Sequence, residues 1–229
     1  FEIGWKASLF ARKVRRNASV FYYDYKDLQV TRAASDPITG AVVNLTENAT
    51  TAKLKGIDFD LGWAITSELT LDASMNLLDS NYGKYLTIGQ LLNGIATGNP
   101  SAPGARSVAY DASGQKLLRA SDFSATILLR YAPELSVGRL PMSVGYSYKG
   151  PFNFDFVVAP GMRRLRQKGY GLLNAQIGFE PSNGNWSVSL WGENLTNEAY
   201  FDDIVGSPSG LRGSYGQPRT YGVSASYKF

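Results

Sequence analysis

Three aspartates are the first residues in this sequence whose type and spacing could do chemistry. Asp58 and Asp60 are two residues apart, which places both side chains on one face of a β-strand, and Asp72 falls on the strand predicted to follow. Clustered carboxylates can transfer protons or bind a cation, and they also line water-filled surfaces. The polar residues that alternate with apolar ones around them favour the last interpretation, a hydrated wall.

Histidine and cysteine are absent from all 229 residues. The chain therefore lacks the commonest general base, the commonest transition-metal ligand and any thiolate or disulfide site. A Ser-His type site cannot be built without histidine, so a lipase or protease is disfavoured. We predict no catalytic residue, no cofactor and no metal site.

One basic cluster stands out from a dispersed net charge of +4. It runs over residues 163–168 and contains Arg163, Arg164 and Arg166 in a segment predicted to be a loop. Such a cluster attracts anionic ligands by electrostatic steering, and it equally suits contact with lipid phosphates or plain solvation. Nucleic-acid binding would need a larger basic face, so we predict no nucleic-acid partner.

A second candidate for ligand contact is the long irregular segment 83–120. It carries Tyr85, Arg106 and Tyr110, and aromatic and arginine side chains in loops suit both ligand capture and loop packing.

The last eleven residues indicate which kind of element positions these candidate side chains, namely a β-strand. Every second residue is apolar, and small polar residues lie between them. This period of two is typical of a strand whose two sides meet different environments. The five apolar residues are Tyr221, Val223, Ala225, Tyr227 and Phe229. At about 3.3 Å per residue, and tilted by about 45°, the strand spans about 25 Å, the height of the apolar band of a membrane β-barrel.

The same alternation predicts about nine strands in all. Phe21, Tyr22 and Tyr23 are consecutive, so the two faces of the second strand cannot be told apart. The expected strands cover about 3–9, 16–31, 57–65, 69–77, 123–131, 142–149, 173–180, 186–191 and 219–229.

The links between these strands alternate in length. Short turns are expected at 12–15, 66–68, 133–141 and 182–185, and long loops at 32–50, 83–120, 150–168 and 194–217. A soluble β-sandwich gives no reason to place every long loop at one end, whereas outer-membrane barrels pair short periplasmic turns with long extracellular loops. Mean hydropathy is −0.18, as in barrels, where only alternate residues face lipid. We therefore expect an all-β, antiparallel transmembrane barrel.

The predicted strands do not complete a barrel by themselves. Bacterial single-chain barrels have even strand numbers, and an open edge is not tolerated in lipid. Residues 1–5 begin inside a strand pattern. We expect the chain to be the C-terminal piece of a longer protein.

Several segments resemble the TonB-dependent outer-membrane receptor family. They are residues 1–7, residues 21–29, residues 55–60 (where Asp58 departs from the family's usual Glu), residues 192–200, residues 218–222 and the terminal Phe229. The resemblance covers nearly the whole chain, and the order and spacing of the segments are more specific than any one of them.

The resemblance implies that residues 1–229 are the C-terminal segment of a barrel of about 22 strands, whose plug domain and earlier strands are absent here. It further implies energy-coupled uptake of a ferric siderophore or a similar bulky nutrient in the outer membrane of a Gram-negative bacterium. The implied partners are outer-membrane lipid and lipopolysaccharide, TonB, ExbB and ExbD through the absent N-terminal region, and the β-barrel assembly machinery, which would pair with the C-terminal strand.

Two alternatives stay open at this point. A passive porin-type channel would share the barrel and would lack a plug. A soluble β-sandwich binding module would bury its apolar rows, and the outward Trp, Tyr and Leu side chains argue against it.

Overall fold

The computed structural model describes residues 1–35, 42–92, 105–156, 165–207 and 210–228. Its strands are, in chain order, β1 (Glu2–Leu9), β2 (Val14–Ser35), β3 (Val42–Ala64), β4 (Leu69–Tyr82), β5 (Leu86–Leu92), β6 (Ala105–Asp111), β7 (Phe123–Tyr131), β8 (Glu134–Leu135), β9 (Gly138–Arg139), β10 (Met142–Lys149), β11 (Phe152–Asn153), β12 (Arg166–Gln167), β13 (Tyr170–Pro181), β14 (Trp186–Glu193), β15 (Phe201–Ser207), β16 (Gly210–Tyr215) and β17 (Thr220–Tyr227).

One continuous antiparallel sheet contains eleven strands, nine of which follow each other in the order β1-β2-β3-β4-β7-β10-β13-β14-β17, while the short β8–β9 hairpin attaches to β13. We call these nine strands the wall. Each wall strand pairs with the previous and the next wall strand along the chain, so the sheet is a simple meander. Among the described residues β1 and β17 do not pair with each other, and the sheet is open. The predicted count and order of strands are confirmed.

The register keeps like side chains together across every wall pair. Leu190, for example, pairs with Ile177 on one side and with Val223 on the other, and Ile127 pairs with Ala73 and Tyr146. Because alternate residues point to opposite sides of a strand, this register collects the apolar residues on one side of the sheet and the polar residues on the other. We call these two sides the apolar face and the polar face.

The apolar face is open rather than packed against a second layer. Large side chains on it are strongly exposed, and examples from six wall strands are Ile3, Val20, Ile57, Ile127, Val144 and Val223. A soluble sandwich would cover such a face with another sheet, and the described residues contain none that does so.

The two faces of β2 are distinguished by its partners. Tyr22 pairs with Lys55 on the apolar side, whereas Phe21 pairs with Gly56 on the polar side. Phe21 stacks on Tyr23 with ring centres 5.2 Å apart, and it is buried against the bare backbone of Gly56. The aromatic run therefore divides between the faces, which alternation alone could not show.

The first turn lies two residues earlier than predicted. It covers residues 10–13 rather than 12–15, and Lys13 donates its backbone N–H to the Phe10 carbonyl at 3.1 Å. Phe10, Ala11 and Arg12 all have positive φ. None of them is glycine, so the sequence carried no turn signal at this place. The turn around Asn183-Gly184 is confirmed, with Gly184 at φ 67°.

The long links are hairpins rather than irregular loops, which corrects the prediction. β2 and β3 stay paired out to Ser35 and Val42, well inside the expected loop 32–50. The other three contain β5–β6, β11–β12 and β15–β16. In these segments polar residues occur at consecutive positions, for example Thr46, Glu47 and Asn48, so the period-two pattern that reveals a strand is lost there. We call these four paired extensions the hairpin layer.

Candidate functional site

The polar face carries the aspartates singled out in the sequence, each with its own partner. Asp58 accepts a hydrogen bond from Asn76 Nδ2 at 2.6 Å, and Asp72 forms an ion pair with Arg130. Asp60 pairs across the sheet with Asn17 and Ser74. The three carboxylates share a face, as predicted, but they do not converge. Among the described residues, no group of three metal-ligating acidic, His or Cys side chains occurs.

Two adjoining concave sites of 540 and 510 Å³ lie on this face. Both are lined by Lys6, Asn17, Asp60, Ser74 and Thr126, so together they form one groove across β1–β4 and β7. Positive and negative groups, among them Lys6, Arg15 and Asp60, line the groove together. Such a surface can hold water or a polar segment of protein.

The hairpin layer contains a first aromatic core, which we call the tyrosine cluster: Tyr82, Tyr85, Tyr110 and Phe156. The ring of Phe156 lies 5.5 Å from Tyr82, 5.9 Å from Tyr85 and 5.9 Å from Tyr110, measured between ring centres. Ala112 is fully buried beside them. Tyr82 ends β4, Tyr85 and Tyr110 lie in the link after it, and Phe156 lies in the link after β10, so the cluster joins these two links to each other.

A second core, the phenylalanine cluster, consists of Phe152, Phe154, Leu165 and Ile204. Cations lie over two of its rings. Lys149 Nζ is 4.3 Å from the centre of the Phe152 ring, and the Arg119 guanidinium is 5.4 Å from that of Phe154. Aromatic rings with cations on them can present both an apolar and a positively charged surface to a ligand.

Arg119 connects three of the long links, a role that was not predicted from the sequence. Its backbone N–H donates to the Asn153 carbonyl at 2.8 Å, and its guanidinium binds the carboxylate of Asp203 in β15 at 2.6 Å. It adopts φ 61°, a left-handed conformation that is uncommon for a residue other than glycine. One arginine among several in polar segments gives no sequence signal for such a role.

Asn194 lies in residues 192–200, one of the segments that resemble the family, and its side chain makes three hydrogen bonds. Its Nδ2 donates to the carbonyls of Glu198 and Gln217, and its Oδ1 accepts from the Glu198 N–H, at 2.8 to 3.0 Å. Asn194 and Asn197 both have positive φ, which asparagine tolerates better than most residues. The side chain thus holds the end of β14 to the residues just before β17.

Burial raises the pKa of the Asp155 carboxyl group, which lies in the link after β10. Among the described carboxyl groups of the long links, Asp155 is the one whose pKa is raised in this way. Removal from water favours the neutral form and outweighs the opposing hydrogen bond from the Phe156 N–H, at 2.7 Å. No ion pair to Asp155 occurs among the described residues.

The predicted ligand contacts fall in different surroundings. Tyr85 is only 4% exposed, within the tyrosine cluster, and Tyr110 is half-buried against the same cluster. Arg166 is exposed in β12, paired with Asn153. Arg106 pairs with Leu91 in the β5–β6 hairpin, and its side chain lies outside the described part. Arg163 and Arg164 lie outside the described residues. Ligand contact by all six stays a prediction.

The C-terminal strand is placed as expected. Tyr221, Val223, Ala225 and Tyr227 lie on the apolar face, opposite residues of β14, and Phe229 is outside the described residues. A role in barrel assembly stays a prediction for these residues.

These features define a class of protein. An antiparallel meander with an exposed apolar face, a polar groove on the other side and paired extensions beyond one end is the architecture of a β-barrel wall. The described residues contain no helix long and apolar enough to cross a membrane.

Comparisons with known proteins identify the family. The family model described as TonB dependent receptor-like, beta-barrel, matches residues 1–195, and the chain belongs to that family. No curated protein sequence matches the chain. The predicted fold class, an antiparallel barrel segment of nine strands, is confirmed. The family comprises receptors and transporters rather than enzymes.

Solved structures agree on the fold. The ferric yersiniabactin uptake receptor FyuA from Yersinia pestis matches 98% of this chain with a TM-score of 0.71 and 18% identity. The siderophore receptor PiuA from Acinetobacter baumannii matches 98% with 0.68 and 20%. The ferric-catecholate import receptor Fiu from E. coli K12, in its closed form, matches 98% with 0.66 and 17%. The chain spans 28%, 27% and 26% of these three chains, about a quarter of their length.

Proposed function

We propose that this chain is the C-terminal part of the barrel wall of an outer-membrane receptor that imports a ferric siderophore or a similar bulky nutrient. The sheet supports this proposal most directly. Its apolar face suits contact with lipid, and its polar face suits a hydrated interior. The family supplies the receptor class, and the three similar structures are named as a ferric yersiniabactin uptake receptor, a siderophore receptor and a ferric-catecholate import receptor.

The hairpin layer is the part of the chain suited to ligand capture. Long extracellular links that carry aromatic cores and cations can bind a bulky anion above the barrel. Arg166 is a described cation in this layer, and Arg119 and Lys149 lie beside it, each over a phenylalanine ring. We propose that Arg163, Arg164 and Arg106 add to the same positive surface. Tyr85, which is 4% exposed, also packs within the tyrosine cluster and so helps to fix the position of the links.

The remaining partners are proposed from the receptor class alone. TonB, with ExbB and ExbD, would supply energy through a region upstream of this chain. The β-barrel assembly machinery would pair with β17 during insertion. Lipopolysaccharide would surround the outer end of the apolar face.

The test is iron uptake by the source bacterium. The gene is deleted and restored in an iron-starved strain, and cell-associated iron-55 is measured after adding each of a panel of ferric siderophores. We expect uptake of one siderophore class to be lost on deletion, restored on complementation and abolished by a protonophore. A restored strain in which Arg119, Lys149 and Arg166 are all changed to Gln should take up less iron at limiting siderophore.

A passive channel is the contrary outcome. Uptake that persists with a protonophore and without TonB, and that rises linearly with solute concentration, would contradict energy-coupled import. It would leave the porin-type alternative as the function of the barrel.

A further inference from the structure

One cation interrupts the apolar face. Arg16 lies two residues beyond Val14 in β2 and pairs with Ala7 of β1 and Leu61 of β3, so its side chain shares the apolar face with those residues. Among the described residues of that face, between the short turns and the Lys55–Asp79 pair, Arg16 alone is charged.

The guanidinium of Arg16 has an aromatic neighbour and, within the described part of the chain, no carboxylate partner. Its central carbon lies 5.3 Å from the centre of the Trp5 ring. Its Nε is buried without a hydrogen-bond partner, and no carboxylate among the described residues forms an ion pair with it. A cation on a lipid-facing surface needs a counter-anion, because hydrocarbon cannot solvate it.

The position of Arg16 sets the depth of that anion. The side chain lies about 7 Å along the strand from the turn that precedes Val14. Trp5 and Trp63 flank it on the neighbouring strands and are 52% and 42% exposed. Tryptophan on a lipid-facing surface marks the headgroup level. Arg12 in the turn is exposed as well and adds positive charge at the same end.

We propose that Arg16, stacked on Trp5, binds the phosphodiester of an anionic phospholipid in the periplasmic leaflet of the membrane. This inference rests on the proposed function, which places the apolar face in the outer membrane. Guanidinium matches phosphate oxygens with two parallel hydrogen bonds. An anionic headgroup leaves the phosphate charge free for Arg16, whereas a zwitterionic headgroup neutralises it with its own ammonium.

The test measures lipid binding to the protein purified in detergent from its native membrane. Native mass spectrometry records how much phosphatidylglycerol and how much phosphatidylcholine, with the same acyl chains, stays bound to wild-type protein, to Arg16→Gln and to Lys55→Gln. We expect a wild-type preference for phosphatidylglycerol that falls about fivefold in Arg16→Gln. Lys55→Gln is the matched control, because Lys55 is on the same face and already paired with Asp79. Its preference should equal that of the wild type.

Three results would overturn the inference. One is an unchanged lipid preference in Arg16→Gln. Another is a lower unfolding temperature of that variant with no change in lipid preference, which would mean that Arg16 is paired with a carboxylate elsewhere in the protein. The third is full displacement of the lipid by millimolar inorganic phosphate, which would mean a free-phosphate site. Membrane fractionation before the experiment separates the two proposals: a protein absent from the outer membrane contradicts the proposed function itself.

Discussion

At the scale of single residues, the buried carboxyl of Asp155 couples the hairpin layer to pH. Its pKa is raised in the folded state by burial, so the folded state binds this proton more tightly than the unfolded state does. Its contribution to local stability is therefore present at low pH and is lost as pH rises through the folded-state pKa.

Asp155→Asn should remove this dependence. The amide oxygen can still accept the Phe156 N–H, and no buried charge forms at neutral pH. We expect slower hydrogen exchange of the backbone amides of residues 152–156 in the variant at pH 7. The difference from wild type should vanish at a pH below the ordinary range of an aspartate. Faster exchange in the variant at pH 7 would show that the ionised carboxylate is stabilised by a group outside the described residues.

A second residue-scale feature is the close approach at Gly56. A Cβ atom there would lie 2.5 Å from the Phe21 ring and even closer to the Leu77 carbonyl, whereas a Cβ at Gly4 would lie 3.7 Å from its nearest neighbours. Gly56→Ala should therefore lower the free energy of unfolding by about 1–3 kcal/mol through overpacking. Gly4→Ala, on the same polar face, is the control and should change it little. Urea unfolding in detergent measures both, and equal midpoints would contradict the argument.

At the scale of elements, Arg119 should couple the hairpins that it joins. Its guanidinium and the Asp203 carboxylate are about half exposed, so solvent screens the pair and the coupling should be about 0.2–1 kcal/mol. A double-mutant cycle of Arg119→Gln and Asp203→Asn measures it through hydrogen exchange of β15 and β16. Fully additive effects would mean that the ion pair contributes no coupling energy between the segment that contains Arg119 and the β15–β16 hairpin.

The elements also show how far the sequence predicts this fold. Wall strands such as Leu69–Leu77 were predictable because one side meets an apolar environment and the other a polar one. The hairpins were not, since Thr46, Glu47 and Asn48 of the extended β3 are consecutive polar residues, so both sides of the strand are polar there and give no contrast. The first turn was misplaced because its left-handed residues are Phe10, Ala11 and Arg12.

The candidate site was predictable in composition but not in arrangement. Alternation correctly placed Asp58 and Asp60 on the polar face, yet their partners depend on the register between strands, which no single strand encodes. Tyr85 was recognised as a loop aromatic, while its burial depends on Phe156, about 70 residues away along the chain. Arg119 carried no pattern at all.

At the scale of the whole molecule, the two faces of the wall should respond oppositely to charge. Ile127 is 52% exposed on the apolar face, and its neighbour Thr126 lies on the polar face. Ile127→Lys should cost about 2–4 kcal/mol near the middle of the bilayer and deplete the protein from the outer membrane. Thr126→Lys should leave its abundance close to wild type.

Fractionation of the cell envelope and immunoblotting measure both variants. The pair is well matched, because the two residues are adjacent in β7 and receive the same side chain. Normal membrane abundance of Ile127→Lys together with depletion of Thr126→Lys would mean that the polar face, and not the apolar one, is turned toward the lipid.

The unbroken register of the wall also limits how its length can vary. The wall pairings run without a shift from Glu2 to Tyr227, and among the described pairings a shift occurs only within the β15–β16 hairpin. A single residue inserted in a wall strand would place the apolar residues that follow it in that strand on the polar face. Two inserted residues would keep each following residue on its own face and only move it along the strand. Natural length variation should therefore be even-numbered within the wall and unrestricted in the hairpins.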